Sequence, residues 1–186
     1  MSFGSDNCRT LVLTSPSYKE GKSTTTVNLA ISMVQDEKKV LIIDANVRKP
    51  TIHHMFKIKN EIGLTNVLSG QATLEETINQ SEFAGLDVLT SGPIPLNTEA
   101  LFYSELIEQF HEKEKDEYDL VLIDAPPVLE EKDTKIIAKQ SDGVILVFRN
   151  GKTVDLLALE AKNMLELSNA NLLGVILNAK NRWKII

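Results

Sequence analysis

Short, almost uninterrupted apolar runs alternate along this chain with segments of helical periodicity. A strand covered by helices on both faces loses the usual in–out alternation of side chains, so continuous runs of this kind predict buried strands of a parallel sheet. Six runs fit this description: TLVLTS (10–15), KVLIIDA (39–45), LDVLTS (86–91), YDLVLIDA (118–125), GVILVF (143–148) and NLLGVILN (171–178).

Segments of helical spacing lie between these runs. Strands that alternate with helices of this length predict an α/β fold, with a doubly wound, mainly parallel sheet flanked by helices. No repeat, low-complexity tract or break in composition divides residues 1–186, so a single domain is expected. The side chains expected to face the sheet are Val27, Ala30, Ile31 and Val34 in residues 22–36, Leu101, Leu106, Ile107 and Phe110 in residues 98–113, and Leu156, Leu159, Met164 and Leu167 in residues 153–167.

The loops that follow the strands are where ligands are expected. In open α/β sheets, ligands bind beyond the carboxyl ends of the strands. Residues that could bind phosphate or a metal ion lie at or after the ends of the first, second and fourth runs. The third run is followed by GPIPLNTEA (92–100), which is rich in helix breakers and predicts a loop leading into a helix capped by Asn97 or Thr98.

Composition narrows the class of protein. The net charge of −6 argues against a nucleic-acid partner that is bound by broad phosphate neutralisation. One cysteine, Cys8, excludes an internal disulfide framework and a single-chain thiolate metal cluster. His53, His54 and His111 have no spacing that suggests a closed metal site. No stretch approaches the ~20 apolar residues of a membrane span, and the N-terminus lacks a signal-peptide core, so a cytoplasmic protein is expected.

The segment after the first run ends like a phosphate-binding loop. Lys19, Glu20, Gly21, Lys22, Ser23 and Thr24 lie between a predicted strand and a predicted helix, which is the context that the pattern G-x-x-x-x-G-K-[ST] requires. Backbone N–H groups and the helix dipole would favour phosphate there. Lys22 would neutralise the β- and γ-phosphates, and the Ser23 hydroxyl would ligate Mg²⁺. The alternative is an ordinary helix start with a Ser or Thr cap.

The first half of this loop is unusual. Pro16 occupies the leading glycine position, and Tyr18 and Lys19 replace small, flexible residues. A positive φ at Lys19 would be strained relative to glycine. Lys19 is either a second cation near the phosphates or a solvated loop residue.

Two aspartates end apolar runs. Asp44 closes VLIID, and Asp124 closes LVLID ahead of Pro126-Pro127. Metal-assisted phosphoryl transfer needs carboxylates at this edge of the sheet to hold Mg²⁺ and orient the attacking group. Asn46 and the pair Arg48-Lys49 follow Asp44 and complete a rim suited to an anion; alternatively, all of these are polar loop residues.

Taken together, these segments resemble the cytoplasmic kinase domain of bacterial tyrosine kinases, the capsule and exopolysaccharide biosynthesis regulators in the MinD/ParA-like P-loop superfamily. The resemblance spans nearly the whole chain in order and spacing. It rests on EGKSTTTVNLA (20–30), KKVLIIDANVRKPTIHHMF (38–56), GLTNVLSG (63–70), LDVLTSGPIPLN (86–97), YDLVLIDAPPVL (118–129), SDGVILVFRNGKT (141–153) and LLGVILN (172–178).

The resemblance implies a role for each matching residue. Lys22 and Ser23 fall in Walker A, Asp44 and Asn46 in Walker A′, and Asp124 in Walker B. Catalysis would then involve Lys22, Asp44, Asn46 and Asp124, and Mg²⁺ would be held by Ser23, Asp44 and Asp124. Asn178 falls where related ATPases contact adenine.

The same resemblance implies cofactors, substrates and partners. ATP or ADP with Mg²⁺ would be the cofactor, and the γ-phosphoryl group would be transferred to tyrosines of protein substrates. A membrane-anchored modulator would activate the kinase and recruit it to the membrane, and a homo-oligomer is compatible with the family pattern.

Four departures from the family pattern qualify this hypothesis. Tyr18-Lys19 stands where Pro-Gly is usual, and Asn46 replaces the second acid of Walker A′. The sequence given has neither a tyrosine-rich tail nor an arginine-bearing first helix; its tyrosines are Tyr18, Tyr103 and Tyr118. Two alternatives therefore stay open: a catalytically impaired nucleotide-binding regulatory relative, and a MinD/ParA-like ATPase without a protein substrate.

Overall fold

A computed structural model describes residues 9–95 and 117–178. The helix expected over 98–113, with its cap at Asn97 or Thr98, lies outside the described residues. In chain order the described elements are β1 (Thr10–Thr14), α1 (Lys22–Gln35), β2 (Val40–Asp44), α2 (Ile52–Phe56), α3 (Leu64–Leu68), α4 (Leu74–Thr77), β3 (Ile78–Gln80), β4 (Leu86–Leu89), β5 (Leu120–Asp124), α5 (Asp133–Gln140), β6 (Gly143–Arg149), α6 (Asp155–Leu167) and β7 (Leu172–Asn178).

The strands form one sheet in the order β3-β4-β2-β5-β1-β6-β7. Strand β3 runs antiparallel to β4, and every other pair in the sheet is parallel. Every residue of β1, β2 and β5 is buried. This confirms the predicted doubly wound, mainly parallel sheet, and explains why its central strands read as continuous apolar runs.

Helices cover both faces of the sheet. On one face, Val27 and Ala30 of α1 pack with Leu11, Leu13 and Ile42. The other face is covered by α5 and α6, through Ile137, Ala138, Ala161 and Leu165. Because β1, β2 and β5 are parallel neighbours in the sheet, the loops that follow them lie at one edge. Within residues 9–95 and 117–178, no helix has both the length and the apolar character needed to cross a bilayer.

The core face expected for the last helix is wrong at three of its four residues, since only Met164 packs against the core. Leu156, Leu159 and Leu167 are 73%, 55% and 82% exposed, whereas Ala161 and Leu165 are fully buried. Helix α6 carries apolar side chains on two stripes, and helical spacing cannot show which stripe faces the sheet. The buried stripe places the small Ala161 against the strands, where it allows close approach.

Candidate active site

The loop between β1 and α1 ends at Gly21, which adopts a left-handed φ of 92°. A Cβ here would lie 1.9 Å from Nδ2 of Asn178, so both crowding and backbone conformation require glycine. No side chain caps α1, which begins at Lys22. The alternative of a Ser- or Thr-capped helix start is therefore wrong. The uncapped N–H groups at this helix start form the kind of site that binds phosphate.

Lys19 has a positive φ of 65°, which is the conformation described above as strained for a residue other than glycine. Outside glycine this conformation costs about 1 kcal/mol or more. Contacts from the end of β6 and the loop after it oppose that cost, because Arg149 Nη1 donates to the Lys19 carbonyl at 3.0 Å and Lys152 Nζ donates to the Tyr18 carbonyl. The Lys19 side chain itself is exposed.

Glu20 turns its carboxylate into the protein and is fully buried. Its Oε1 accepts from the Ser17 backbone N–H at 3.2 Å and from the Ser17 hydroxyl at 2.7 Å, and its Oε2 accepts from the Thr153 hydroxyl. The Glu20 carbonyl accepts from Asn178 Nδ2 at 3.2 Å. The Glu20 side chain thus stabilises the loop through hydrogen bonds. A ligand would therefore meet the backbone N–H groups of the loop and not the Glu20 carboxylate.

Asp44 and Asp124 are paired residues at the ends of the neighbouring strands β2 and β5. Both are completely buried. Asp44 accepts backbone N–H donors from Asn46 at 3.2 Å and from Thr51 and Ile52 at 3.0 Å each. Neither oxygen of Asp124 has a hydrogen-bond partner of normal geometry. The two carboxylates therefore share one location but differ in how much of their hydrogen-bonding capacity is used.

Burial dominates the electrostatics of this pair. Burial, followed by the charge of Asp124, raises the pKa of Asp44 above its ordinary value, against the three N–H donors. Burial also raises the pKa of Asp124 to about 6, while the Lys22 ammonium and the nearby Ser23 hydroxyl act to lower it. Lys22 is only 5% exposed and provides positive charge beside the acids. Lys22 is thus a single cation beside two acids whose ionisation is opposed by burial.

The donor set fits a hard divalent cation. Both oxygens of Asp124 and Oδ1 of Asn46 are buried acceptors without hydrogen-bond partners. Mg²⁺ prefers oxygen ligands and is usually held by one or two carboxylates together with phosphate oxygens and water. No group of three His, Cys, Asp or Glu side chains that could hold a metal occurs in the described part of the chain. A cation here would therefore complete its shell with ligand oxygens.

From the sequence we predicted that one edge of the sheet carries five site residues: Lys22, Ser23, Asp44, Asn46 and Asp124. It missed the residues that hold the loop from outside: Arg149 at the end of β6, Lys152 and Thr153 after β6, and Glu130 and Glu131 after β5. The sequence pointed to these residues only by their position, since they lie at or directly after the ends of strands at the same edge of the sheet. Thr24 is exposed, at the start of α1.

Comparison with known proteins places this chain in a family. A family model described as an AAA domain matches residues 19–166. The tyrosine-protein kinase YwqD of Bacillus subtilis is 42% identical over 176 residues, covering 95% of this chain and 74% of YwqD. The chain belongs to the bacterial tyrosine kinases.

Solved structures agree with this membership. The kinase domain of the Escherichia coli tyrosine kinase ETK superposes with a TM-score of 0.89 at 32% identity, covering 93% of this chain and 69% of that one. MinD of Pyrococcus horikoshii, solved with Mg-ADP, shares the fold, with a TM-score of 0.79 at 24% identity over 95% of this chain and 72% of that one. This bacterial tyrosine kinase carries Tyr18-Lys19 in the loop before α1 and Asn46 after β2.

Proposed function

We propose that this chain is an ATP-dependent protein-tyrosine kinase domain that regulates capsule or exopolysaccharide biosynthesis, with transfer slowed by Asn46. One observation supports this most strongly. In a member of the bacterial tyrosine kinases, the buried, unpartnered oxygens of Asp124 and Asn46 lie at the same sheet edge as the uncapped start of α1. Such an edge suits a metal-bound polyphosphate.

Nucleotide binding would use the loop backbone and Lys22. The N–H groups of Gly21, Lys22, Ser23 and Thr24 would donate to phosphate oxygens, and Lys22 would add a charge-assisted contact to the β- and γ-phosphates. Asn178 contacts both Gly21 and the Glu20 carbonyl, which favours an adenine site beside the loop. Lys19 would add an exposed cation at the entrance.

Ser23 and Asp124, with Asp44 beside them, would hold Mg²⁺. When bound, Mg²⁺ would neutralise charge that develops on the phosphates. The tyrosine oxygen would form the new bond to the γ-phosphorus as the bond to the β-phosphate oxygen breaks, and the tyrosine proton would pass to a carboxylate. Asn46 cannot accept that proton, so Asp44 is left as the acceptor. General-base help is worth ~10²–10⁴-fold, so loss of the acid at position 46 should slow transfer more than binding.

The test measures binding and transfer separately. Mg-ATP affinity by calorimetry and phosphotyrosine on a supplied tyrosine-rich peptide are compared in the wild type, Lys22→Met and Lys162→Met. Lys162 is a matched control because it pairs with Glu166 on α6, away from the loop. We expect Lys22→Met to lose most of its affinity and Lys162→Met to keep it. Equal affinity in all three proteins would remove the loop from the proposal.

The same assay separates the alternatives. Binding without phosphotyrosine or hydrolysis would identify an impaired regulatory relative, and hydrolysis without phosphotyrosine would identify a MinD/ParA-like ATPase. A membrane-anchored modulator that recruits the cytoplasmic kinase to the membrane is the expected activator, so each assay is run with and without its cytoplasmic segment.

A further inference from the structure

Tyr18, which replaces a small residue in the phosphate loop, is held at each of its polar groups. Its backbone N–H donates to Glu130 Oε1 at 3.0 Å, its hydroxyl donates to Glu131 Oε1 at 2.9 Å, and its carbonyl accepts from Lys152 Nζ. Burial and then the hydrogen bond to Glu131 raise the pKa of the Tyr18 hydroxyl above its ordinary value. The hydroxyl therefore stays protonated and remains a donor to Glu131.

The ring of Tyr18 contacts two lysines. Lys49 Nζ lies 3.7 Å from the ring centroid, and Lys22 Nζ lies 5.6 Å from it. Within the described residues, Lys49 Nζ has no carboxylate at ion-pair distance, so the aromatic ring is its one recorded side-chain partner. An ammonium within ~6 Å of an aromatic centroid is attracted to the ring. The Tyr18 ring therefore lies within cation–π range of both ammonium groups and is closer to that of Lys49.

Glu131 extends this contact to the segment after β2. Arg48 Nε lies 2.9 Å from Glu131 Oε2, and Arg48 Nη2 lies 3.4 Å from Oδ2 of the buried Asp133. The phosphate loop, the segment after β2 and the segment after β5 are therefore joined through Tyr18 and Glu131. These are the three segments that surround the acids Asp44 and Asp124.

We propose that Tyr18 is a positioning residue that holds Lys49 beside Lys22, so that both ammonium groups face the terminal phosphate of a bound nucleoside triphosphate. This proposal rests on the proposed nucleotide site and adds a source of selectivity to it. Lys22 reaches phosphates that ADP also carries, whereas Lys49 adds a contact that only the triphosphate fills. Tyr18 then distinguishes ATP from ADP without touching either nucleotide.

The test is the ratio of the affinities for a non-hydrolysable ATP analogue and for ADP, both with Mg²⁺, measured by calorimetry. We expect Tyr18→Leu and Lys49→Met each to lower this ratio by about fivefold, as loss of one oriented charge contact predicts, and to leave ADP affinity nearly unchanged. Tyr18→Phe keeps the ring and should retain most of the ratio. The double variant Tyr18→Leu/Lys49→Met should be no worse than Lys49→Met alone, because the two act as one unit.

Lys39→Met is the matched control, since Lys39 Nζ lies 4.8 Å from the Tyr118 ring centroid at the opposite edge of the sheet. It should leave the ratio unchanged. A wild-type ratio in Tyr18→Leu, or losses that multiply in the double variant, would overturn the role of Tyr18. An equal loss of ADP and analogue affinity would also overturn it, by indicating that Tyr18 only maintains the loop. Failure of the wild type to bind either nucleotide would overturn the nucleotide site itself, and the proposal with it.

Discussion

Removing the charge of Asp124 should stabilise the ligand-free protein, although this residue is proposed to serve the reaction. Asp124 is completely buried, and neither of its oxygens has a hydrogen-bond partner. Its pKa rises from 3.8 to about 6 in the folded protein. The folded state therefore holds the proton more tightly than the unfolded state, and stability is lost as pH rises from 3.8 through the native value of about 6.

The size of the effect follows from the shift. One pKa unit corresponds to about 1.4 kcal/mol, so ionisation of Asp124 costs on the order of 3 kcal/mol once pH exceeds the native pKa. Roughly half of this cost develops between pH 5 and pH 8. For a chain of this length, 1 kcal/mol changes Tm by about 2–4 °C, so the pH-dependent part should amount to a few °C.

The assay is thermal unfolding of the wild type and Asp124→Asn at pH 5 and pH 8, with chelator and without nucleotide. The Tm advantage of Asp124→Asn should grow by a few °C from pH 5 to pH 8. Asp119→Asn is the matched control, because Asp119 is a half-exposed aspartate just before β5, at its opposite end. A constant difference between the wild type and Asp124→Asn would refute the claim that the buried charge of Asp124 destabilises the ligand-free protein.

Two further substitutions test other features of the site. Asn46→Asp should restore a carboxylate near the transferred group and raise transfer to a tyrosine-rich peptide, by up to ~10²-fold, with little change in nucleotide affinity; an unchanged rate would mean that Asn46 does not limit the chemistry. Gly21→Ala should lower Tm and nucleotide affinity, because its Cβ would meet Asn178 Nδ2 at 1.9 Å and φ is 92°. Adding Asn178→Ala should restore part of the lost stability, and no restoration would mean that backbone strain alone causes the loss.

The central strands of the sheet could be predicted because a strand buried on both faces has a recognisable sequence, a continuous apolar run. Strands β1, β2 and β5 are buried on both faces and read as apolar runs. Strand β3 was missed because it has only three residues, INQ, none of them buried, and pairs antiparallel at the edge of the sheet. Helix α5 was missed because DTKIIAKQ is only eight residues long and mostly polar.

The site could be predicted where a functional side chain lies at the end of a strand. Asp44 and Asp124 are strand-end acids, and the order of the strands brings them side by side. The contacts of Glu20 with Thr153 and of Tyr18 with Glu131 were not predictable, since they join residues more than a hundred positions apart. Such pairings depend on which strands become neighbours, and local sequence does not contain that information.

The position of β1 in the sheet determines when the phosphate loop can form. Thr10 pairs with Val121 and Leu11 pairs with Gly143, so both neighbours of the first strand come from the second half of the chain. At about 5–20 residues per second, a ribosome needs several seconds to make the intervening segment. During that time the apolar β1 segment has neither of its strand neighbours, and its unpaired backbone groups are an aggregation hazard. The loop after β1 can therefore take its final position, and bind nucleotide, only after β5 and β6 have been synthesised.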